Sequence, residues 1–142
     1  GLFTLTAKAD RIDRLAEGGY EIIDYKTGVA PKREDVGLGF APQLPLEAAL
    51  LENGGFQEIP ADVVTALTYW VLSGGATPGK ESKVAVEGAE QSRADEALDG
   101  LRQLVASFDD PATPYTSIPR PARAPRFNDY AHLSRRLEWG VE

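Results

Sequence analysis

Apolar and polar positions change rhythm several times along the chain, and each change predicts an element. Residues 2–14 partly alternate, with Phe3, Leu5, Ala7 and Ala9 on one parity and Lys8 and Asp10 on the other, which predicts a strand. Ala16-Glu17-Gly18-Gly19 reads as a hairpin turn. A second strand then runs from Tyr20 to Lys26, where Ile22 and Ile23 lead into Asp24, Tyr25, Lys26 and a Thr27-Gly28 turn. Pro31 stops any immediate continuation, and the acidic, glycine-rich residues 34–40 read as irregular.

From Pro42 to Asn53 the period becomes helical. Leu44, Ala48 and Leu51 form the centre of the apolar face, Leu46, Ala49 and Leu50 widen it, and Asn53-Gly54-Gly55 ends it. Gln43 then falls at the helix's N-terminal end. Val63–Ser73, rich in Val, Thr, Tyr and Trp, predicts a third and central strand, and Lys83–Val86 a short fourth. Ser92 with Asp95 has the form of a capping box opening a helix whose packed face is Ala94, Leu98, Leu101, Val105 and Phe108. Residues 111–127, with five prolines and three arginines, read as an extended strap. A last short helix is expected from Asn128 to Glu138, packing Tyr130, Leu133 and Leu137. This order predicts an α/β (α+β) domain with a small mixed central sheet flanked by helices. Residues 1–142 are expected to form a single domain, with a core over 1–110 and a strap and C-terminal helix over 111–142.

Composition narrows the classes. At 142 residues, 42% hydrophobic and 26% charged, the chain is ordinary for a globular domain. No apolar run reaches the ~18 residues of a membrane helix, and the N-terminus lacks a signal-peptide pattern. With no cysteine there is no disulfide framework, no thiolate zinc site and no iron–sulfur cluster. The absence of methionine and the opening at Gly1-Leu2-Phe3 suggest a fragment of a longer protein. The net charge of −7 argues against binding nucleic acid through phosphate contacts alone. Its distribution softens that reading. Residues 1–33 hold six Lys/Arg against five acids, residues 34–118 four against fourteen, and residues 119–142 five against three. The acidic load sits in the middle, away from the candidate site.

That site is the exit of the second strand. Asp24 and Lys26 are two apart and share a strand face, while Tyr25 points the other way. The hairpin would bring Asp10 beside them. Two carboxylates suffice for a hard divalent cation such as Mg²⁺, with substrate phosphate completing the shell and the Tyr25 backbone carbonyl as a third ligand. Such a cation activates water and neutralises charge developing on a phosphodiester. Lys26 would position the attacking water or stabilise the transition state. Gln43, at a helix N-terminus, would bind phosphate or hold the water.

Plainer readings exist for each residue. An Asp-x-Lys at a strand end is a common surface pair. Asp10, Arg11, Asp13 and Arg14 can be a solvated face with cross-strand ion pairs, and Gln43 an ordinary first-turn residue. His132 reads as a packed or surface histidine rather than a general base, and Tyr69 and Trp70 as core rather than a base-stacking platform. Trp139 and the arginines of residues 120–136 suit either a packed strap or a contact to DNA or a partner. No Gly-rich phosphate loop, zinc-spaced cluster or nucleophile elbow is present.

Taken together the motifs are more specific than any one of them. Lys8-Ala9-Asp10-Arg11-Ile12-Asp13, then Ile22-Ile23-Asp24-Tyr25-Lys26-Thr27-Gly28, then Gln43-Leu44-Pro45-Leu46 resembles the RecB-like branch of the PD-(D/E)XK nucleases in residue types, order and spacing. Phe108-Asp109-Asp110-Pro111 through Pro114-Tyr115, with Asp129-Tyr130-Ala131-His132-Leu133-Ser134-Arg135 and Glu138-Trp139, resembles the end of the AddB family of double-strand-break repair subunits in its alphaproteobacterial form.

The resemblance implies a restriction-endonuclease-like fold and Mg²⁺-dependent (or Mn²⁺-dependent) exonucleolytic cleavage of DNA. Asp10 and Asp24 would be metal ligands, Lys26 the catalytic lysine and Gln43 the following motif, with Asp13 a recurrent acid not counted as a ligand. It further implies an AddA-like helicase–nuclease partner, DNA as substrate, no membrane, and a cytoplasmic, nucleoid-associated setting in a bacterium. Three departures stand out. The iron–sulfur cysteines of many AddB proteins are absent, Glu47 stands where the branch commonly has tyrosine, and a further ligand expected on a helix before the first strand would precede residue 1. The last leaves open an inactive isolated segment. The alternative is a non-catalytic nuclease-fold module for DNA guidance or subunit docking. A CRISPR-associated relative of the branch is a third reading, disfavoured by the absent cysteines and the AddB-like tail.

Overall fold

Two interior strands organise the chain. In the computed structural model, which describes residues 2–75, 79–84, 90–124, 128, 129, 131–135 and 138, β2 (Tyr20–Lys26) and β3 (Val64–Val71) run parallel at the centre of a four-stranded sheet. β1 (Arg11–Arg14) flanks β2 antiparallel, and β4 (Lys80–Lys83) flanks β3 antiparallel, so the sheet is mixed, in the order β1-β2-β3-β4. Parallel pairing cannot be closed by a tight turn and needs a crossover. Here the crossover carries α1 (Arg33–Gly37) and α2 (Gln43–Glu52). A mixed sheet flanked by helices is the architecture the sequence predicts.

The strand register fixes two faces. Tyr20, Ile22, Asp24 and Lys26 share one face with their β3 neighbours Leu67 and Tyr69, and Glu21, Ile23 and Tyr25 share the other with Thr68 and Trp70. The first face carries the main core: Tyr20, Ile22, Leu67 and Tyr69 bury against Leu44, Ala48, Ala49 and Leu51 of α2. Burying side chains of this size contributes roughly 1.5–3 kcal/mol each, far more than the propensity of a ten-residue helix. α2 therefore sits where its apolar stripe meets the sheet. Its end is fixed by Gly54 at φ 74° and by Asn53 Nδ2 donating to the Ala49 carbonyl at 2.8 Å. Glu52 ties that end to the start of β3 by accepting the Val64 N–H at 3.0 Å.

Several expected boundaries move. Only Arg11–Arg14 of the predicted 2–14 strand pairs with β2. Beyond Arg11, the Asp10 carboxylate takes the Tyr25 N–H at 3.0 Å, using a donor that a continued ladder would have needed. Arg33, placed in the loop after Gly28, and the first part of the stretch 34–40 read as irregular form the short helix α1, in which Val36 alone is buried. One apolar anchor in five residues leaves no period to detect. β4 lies at Lys80–Lys83 rather than Lys83–Val86, of which 85 and 86 fall outside the described residues. Its charged sequence suits an edge strand, which hydrophobic patterning does not mark.

The helix α3 (Glu90–Asp109) begins before Ser92, so the expected capping box does not open it. Its Ala94 is fully buried and Leu98 packs against the same core. The chain divides into two units, Gly1–Ala106 and Ser107–Glu142. In the second, Phe108 stacks on Tyr115 with ring centroids 4.7 Å apart, and the Thr113 hydroxyl donates to the Ser107 carbonyl. The predicted helix over Asn128–Glu138 is not formed by its described part, which holds a 3₁₀ turn at Ala131–Ser134. Arg135 at φ 51° is incompatible with a continuing right-handed helix, and Leu133, expected to pack, is 67% exposed. Tyr130 and Leu137 lie outside the described residues.

The hairpin turn gives a test of this register. Gly19 has φ 75°, and a Cβ there would sit 2.8 Å from the Val63 carbonyl oxygen and 2.9 Å from Thr65 Cγ2. Gly19→Ala is expected to destabilise the fold by about 1–3 kcal/mol, read as a lower urea midpoint at unchanged slope. An unchanged midpoint would contradict the close approach of the hairpin to β3.

Candidate active site

The exit of β2 and the first turn of α2 meet on the core face of the sheet. Asp24 is 2% exposed there. Lys26 Nζ stands 2.7 Å from Asp24 Oδ2, an ion-pair contact without the angles of a hydrogen bond. Gln43, the first residue of α2, connects both. Its Nε2 donates to Asp24 Oδ1 at 2.7 Å, and its Oε1 accepts from Lys26 Nζ at 3.3 Å. The amide is thus oriented by the lysine on one side and the carboxylate on the other. Lys26 Nζ also lies 5.6 Å from the centre of the Tyr69 ring. Asp10 reaches the same strand end by accepting the Tyr25 N–H. The predicted residues Asp10, Asp24, Lys26 and Gln43 are therefore brought together on one strand end.

Two further groups join them. Glu47, one turn along α2 from Gln43, is only 3% exposed, and its Oε1 accepts a second hydrogen bond from Gln43 Nε2 at 3.2 Å. Its carboxyl pKa is raised, chiefly by burial; the Gln43 bond and the Lys26 charge oppose this, and the charges of Asp24 and Asp10 add to it. Tyr69, buried across from Asp24 on β3, has its phenol pushed up to about 12, by burial first and then by Asp24 and Glu47. The i, i+4 spacing from Gln43 is the signal in the sequence for Glu47.

Other expected candidates lie elsewhere. Asp13 is on the opposite face, where its carboxylate pairs with Arg11 at 2.6 Å. Arg11 also lies over the Trp70 ring at 5.3 Å, and Tyr25 meets Trp70 edge-on at 5.8 Å between centroids. Tyr69 is core, as expected, whereas Trp70 is half-buried on this second face. A cleft of about 210 Å³ lined by Trp70, Leu72, Gly79, Lys80 and Glu81 runs along β3 and β4 and includes none of the residues at the β2 exit. His132 is exposed in its 3₁₀ turn, and Trp139 lies outside the described residues.

The donor set suits a hard cation. Asp24 Oδ2 is compensated by the Lys26 ammonium, whereas Glu47 Oε2 is buried without a hydrogen-bond partner, which costs free energy. Asp10, Asp24 and Glu47 against Lys26 give a formal charge of −2, from oxygen donors only. Among the described residues no group of three or more His, Cys, Asp or Glu side chains is placed so that it could hold a metal ion.

The family model of the PD-(D/E)XK nuclease superfamily matches residues 1–123. An uncharacterized protein of Rickettsia felis is 38% identical over 71 residues, covering 49% of this chain and 8% of that protein. An uncharacterized protein of Rickettsia conorii is 42% identical over 48 residues, covering 34% of this chain and 6% of that protein. The chain therefore spans less than a tenth of the length of these curated relatives. No solved structure matches at a significant level. No described helix is long and apolar enough to cross a membrane.

The burial of Glu47 has a pH signature. Folding raises its pKa, so the native state binds its proton more tightly than the unfolded chain, for which the ordinary value is 4.5. That contribution is fully present below 4.5 and is lost as pH rises through the native value. Without divalent cations, wild-type stability is expected to fall relative to Glu47→Gln as pH is raised from 4.5 towards neutrality. Urea melts of both proteins across that range check it, and a pH-independent difference would refute it.

Proposed function

Because the chain belongs to the PD-(D/E)XK nuclease superfamily, we propose that it is the hydrolytic module of a divalent-cation-dependent deoxyribonuclease. Asp10, Asp24 and the backbone carbonyl of Tyr25 hold Mg²⁺ or Mn²⁺ in this reading. The observation that carries it is the Asp24–Lys26–Gln43 network, in which a buried carboxylate keeps one oxygen free of hydrogen bonds beside an ammonium.

The bound cation supplies Lewis acidity, lowering the pKa of water and neutralising charge on the scissile phosphodiester. The chain's own residues supply the rest. Lys26, partly exposed and tethered by Asp24 and Gln43, presents a fixed positive charge where negative charge develops on the phosphoryl oxygens. Preorganisation matters here, because a lysine already held in place loses little rotamer freedom when substrate arrives. Gln43 bridges this pair, accepting from Lys26 Nζ and donating to Asp24 Oδ1. Asp10 secures the strand end by its bond to the Tyr25 N–H, which aligns the Tyr25 peptide beside both carboxylates.

The wider setting follows from sequence resemblance. The tail sequence from Phe108 to Trp139 supports an AddB-like subunit acting as an exonuclease with an AddA-like helicase–nuclease partner, resecting double-strand breaks in the bacterial cytoplasm. One observation favours a second reading, a non-catalytic module that guides DNA or docks a partner. The fourteen acids against four Lys/Arg in residues 34–118 give this segment little electrostatic attraction for DNA.

Cleavage of end-labelled linear DNA distinguishes the two. Asp24→Ala and Lys26→Ala, placed in the full chain together with its partner, are each expected to lower Mg²⁺-dependent cleavage by this subunit about 10²-fold or more. ATP-driven unwinding by the complex should persist. Chelation with EDTA should abolish cleavage and Mn²⁺ restore it. Cleavage unaffected by either substitution would overturn the assignment.

A further inference from the structure

We infer that Glu47 is a positioning residue of the active site: it fixes the plane of the Gln43 carboxamide and, through it, the place of the Lys26 ammonium. That role presupposes the hydrolytic reading above and needs no contact between Glu47 and a metal. A primary amide carries two N–H donors and one carbonyl acceptor in a single plane, so its orientation is set by how many of them are engaged. In Gln43 all three are. Nε2 donates one hydrogen to Asp24 Oδ1 at 2.7 Å and the other to Glu47 Oε1 at 3.2 Å, and Oε1 accepts from Lys26 Nζ at 3.3 Å. The reverse flip would set the amide nitrogen against an ammonium and the amide oxygen against two carboxyl groups.

The fold holds Glu47 firmly enough for this. It lies one turn along α2 from Gln43, so the two side chains share a helix face, and the neighbouring Leu44, Ala48 and Leu51 are buried in the core against β2 and β3. At 3% exposure, little water competes for its bond to Gln43. Asp24 alone would hold Gln43 by one hydrogen, about which the amide could still turn. A second acceptor at the other hydrogen removes that freedom and aims Oε1 at Lys26. The ammonium then has two fixed partners, Asp24 Oδ2 at 2.7 Å and Gln43 Oε1 at 3.3 Å. The Gln43 contact is the longer one, and a turning amide loses it. A lysine released from it must be ordered again at each turnover, which slows the chemical step. An apolar residue at position 47 would spare the unpartnered Glu47 Oε2, but it would leave the second hydrogen of Gln43 unpaired instead.

Steady-state cleavage of end-labelled DNA by the full chain with its partner tests this as a double-mutant cycle. Glu47→Leu removes the acceptor. It is expected to lower kcat about tenfold with KM for DNA unchanged, and Glu47→Gln, which keeps an acceptor oxygen, to recover most of that loss. In a Gln43→Leu background, Glu47→Leu should change kcat less than about twofold, because the residue through which it acts is gone. A purely structural role would lower activity by the same factor in both backgrounds. Equal losses in the two backgrounds, an undiminished kcat in Glu47→Leu, or a Glu47→Gln as impaired as Glu47→Leu would each overturn the role of Glu47. Cleavage that is still lost in Asp24→Ala then leaves the hydrolytic reading standing. Cleavage that survives Asp24→Ala overturns that reading itself. Should Glu47→Leu not fold, Glu47→Met, unbranched and closer in length to glutamate, takes its place in the cycle and is read the same way.

Discussion

A buried carboxylate at the end of an interior strand is the constraint on which this structure turns. Asp24 is almost wholly removed from water, and an acid in that position is costly unless its lone pairs find partners. The fold supplies them from two directions. Lys26 comes from the same strand face two residues on, and Gln43 from the first turn of the helix that packs on that face. Neither partner could be there without the core beneath. Leu44, Ala48 and Leu51 anchor α2 against Ile22, Leu67 and Tyr69, and that anchoring sets the height of Gln43 over the strand exit. Packing energy thus fixes polar geometry, which on its own is too weakly determined to hold.

The same logic explains why the sheet is mixed. A parallel β2–β3 pair requires a crossover, and the crossover delivers a helix N-terminus to the C-terminal end of β2. In open sheets this end is where ligands bind. The antiparallel hairpin sets β1 beside β2 so that the Asp10 carboxylate, just before β1, accepts the Tyr25 N–H. Hairpin and crossover therefore converge on one strand end from opposite sides, and the charged residues that sequence spacing singles out become neighbours.

How much of this could be read from the sequence differs by element. β2 was legible to the residue, because two β-branched residues between a glycine turn and a charged exit leave few alternatives. α2 was legible because a wide apolar stripe ends in Asn-Gly-Gly. β4 was displaced, and α1 was missed, because an edge strand and a one-anchor helix bury too little to impose a period. The first strand was overdrawn, since alternation in residues 2–9 does not reveal that Asp10 takes over a ladder donor with its side chain. The terminal helix failed for a similar reason: Leu133 has helical spacing, but Arg135 adopts a backbone conformation that ends the turn.

Glu47 shows most clearly what pattern alone withholds. On the linear sequence it is an ordinary helix-surface acid between Leu46 and Ala48, and hydrophobic patterning would turn it to solvent. Two facts reverse that. The stripe on α2 is so wide that position 47 falls inside it, and Gln43 one turn earlier is already committed to Asp24. A glutamate at that point is either a defect or a component. Selection against an isolated buried acid is simple, since substituting glutamine would keep the bond to Gln43 and relieve repulsion from Asp24 and Asp10. What keeps it there is visible only in three dimensions: the second hydrogen of the Gln43 amide, whose first is spent on Asp24, is donated to Glu47 Oε1.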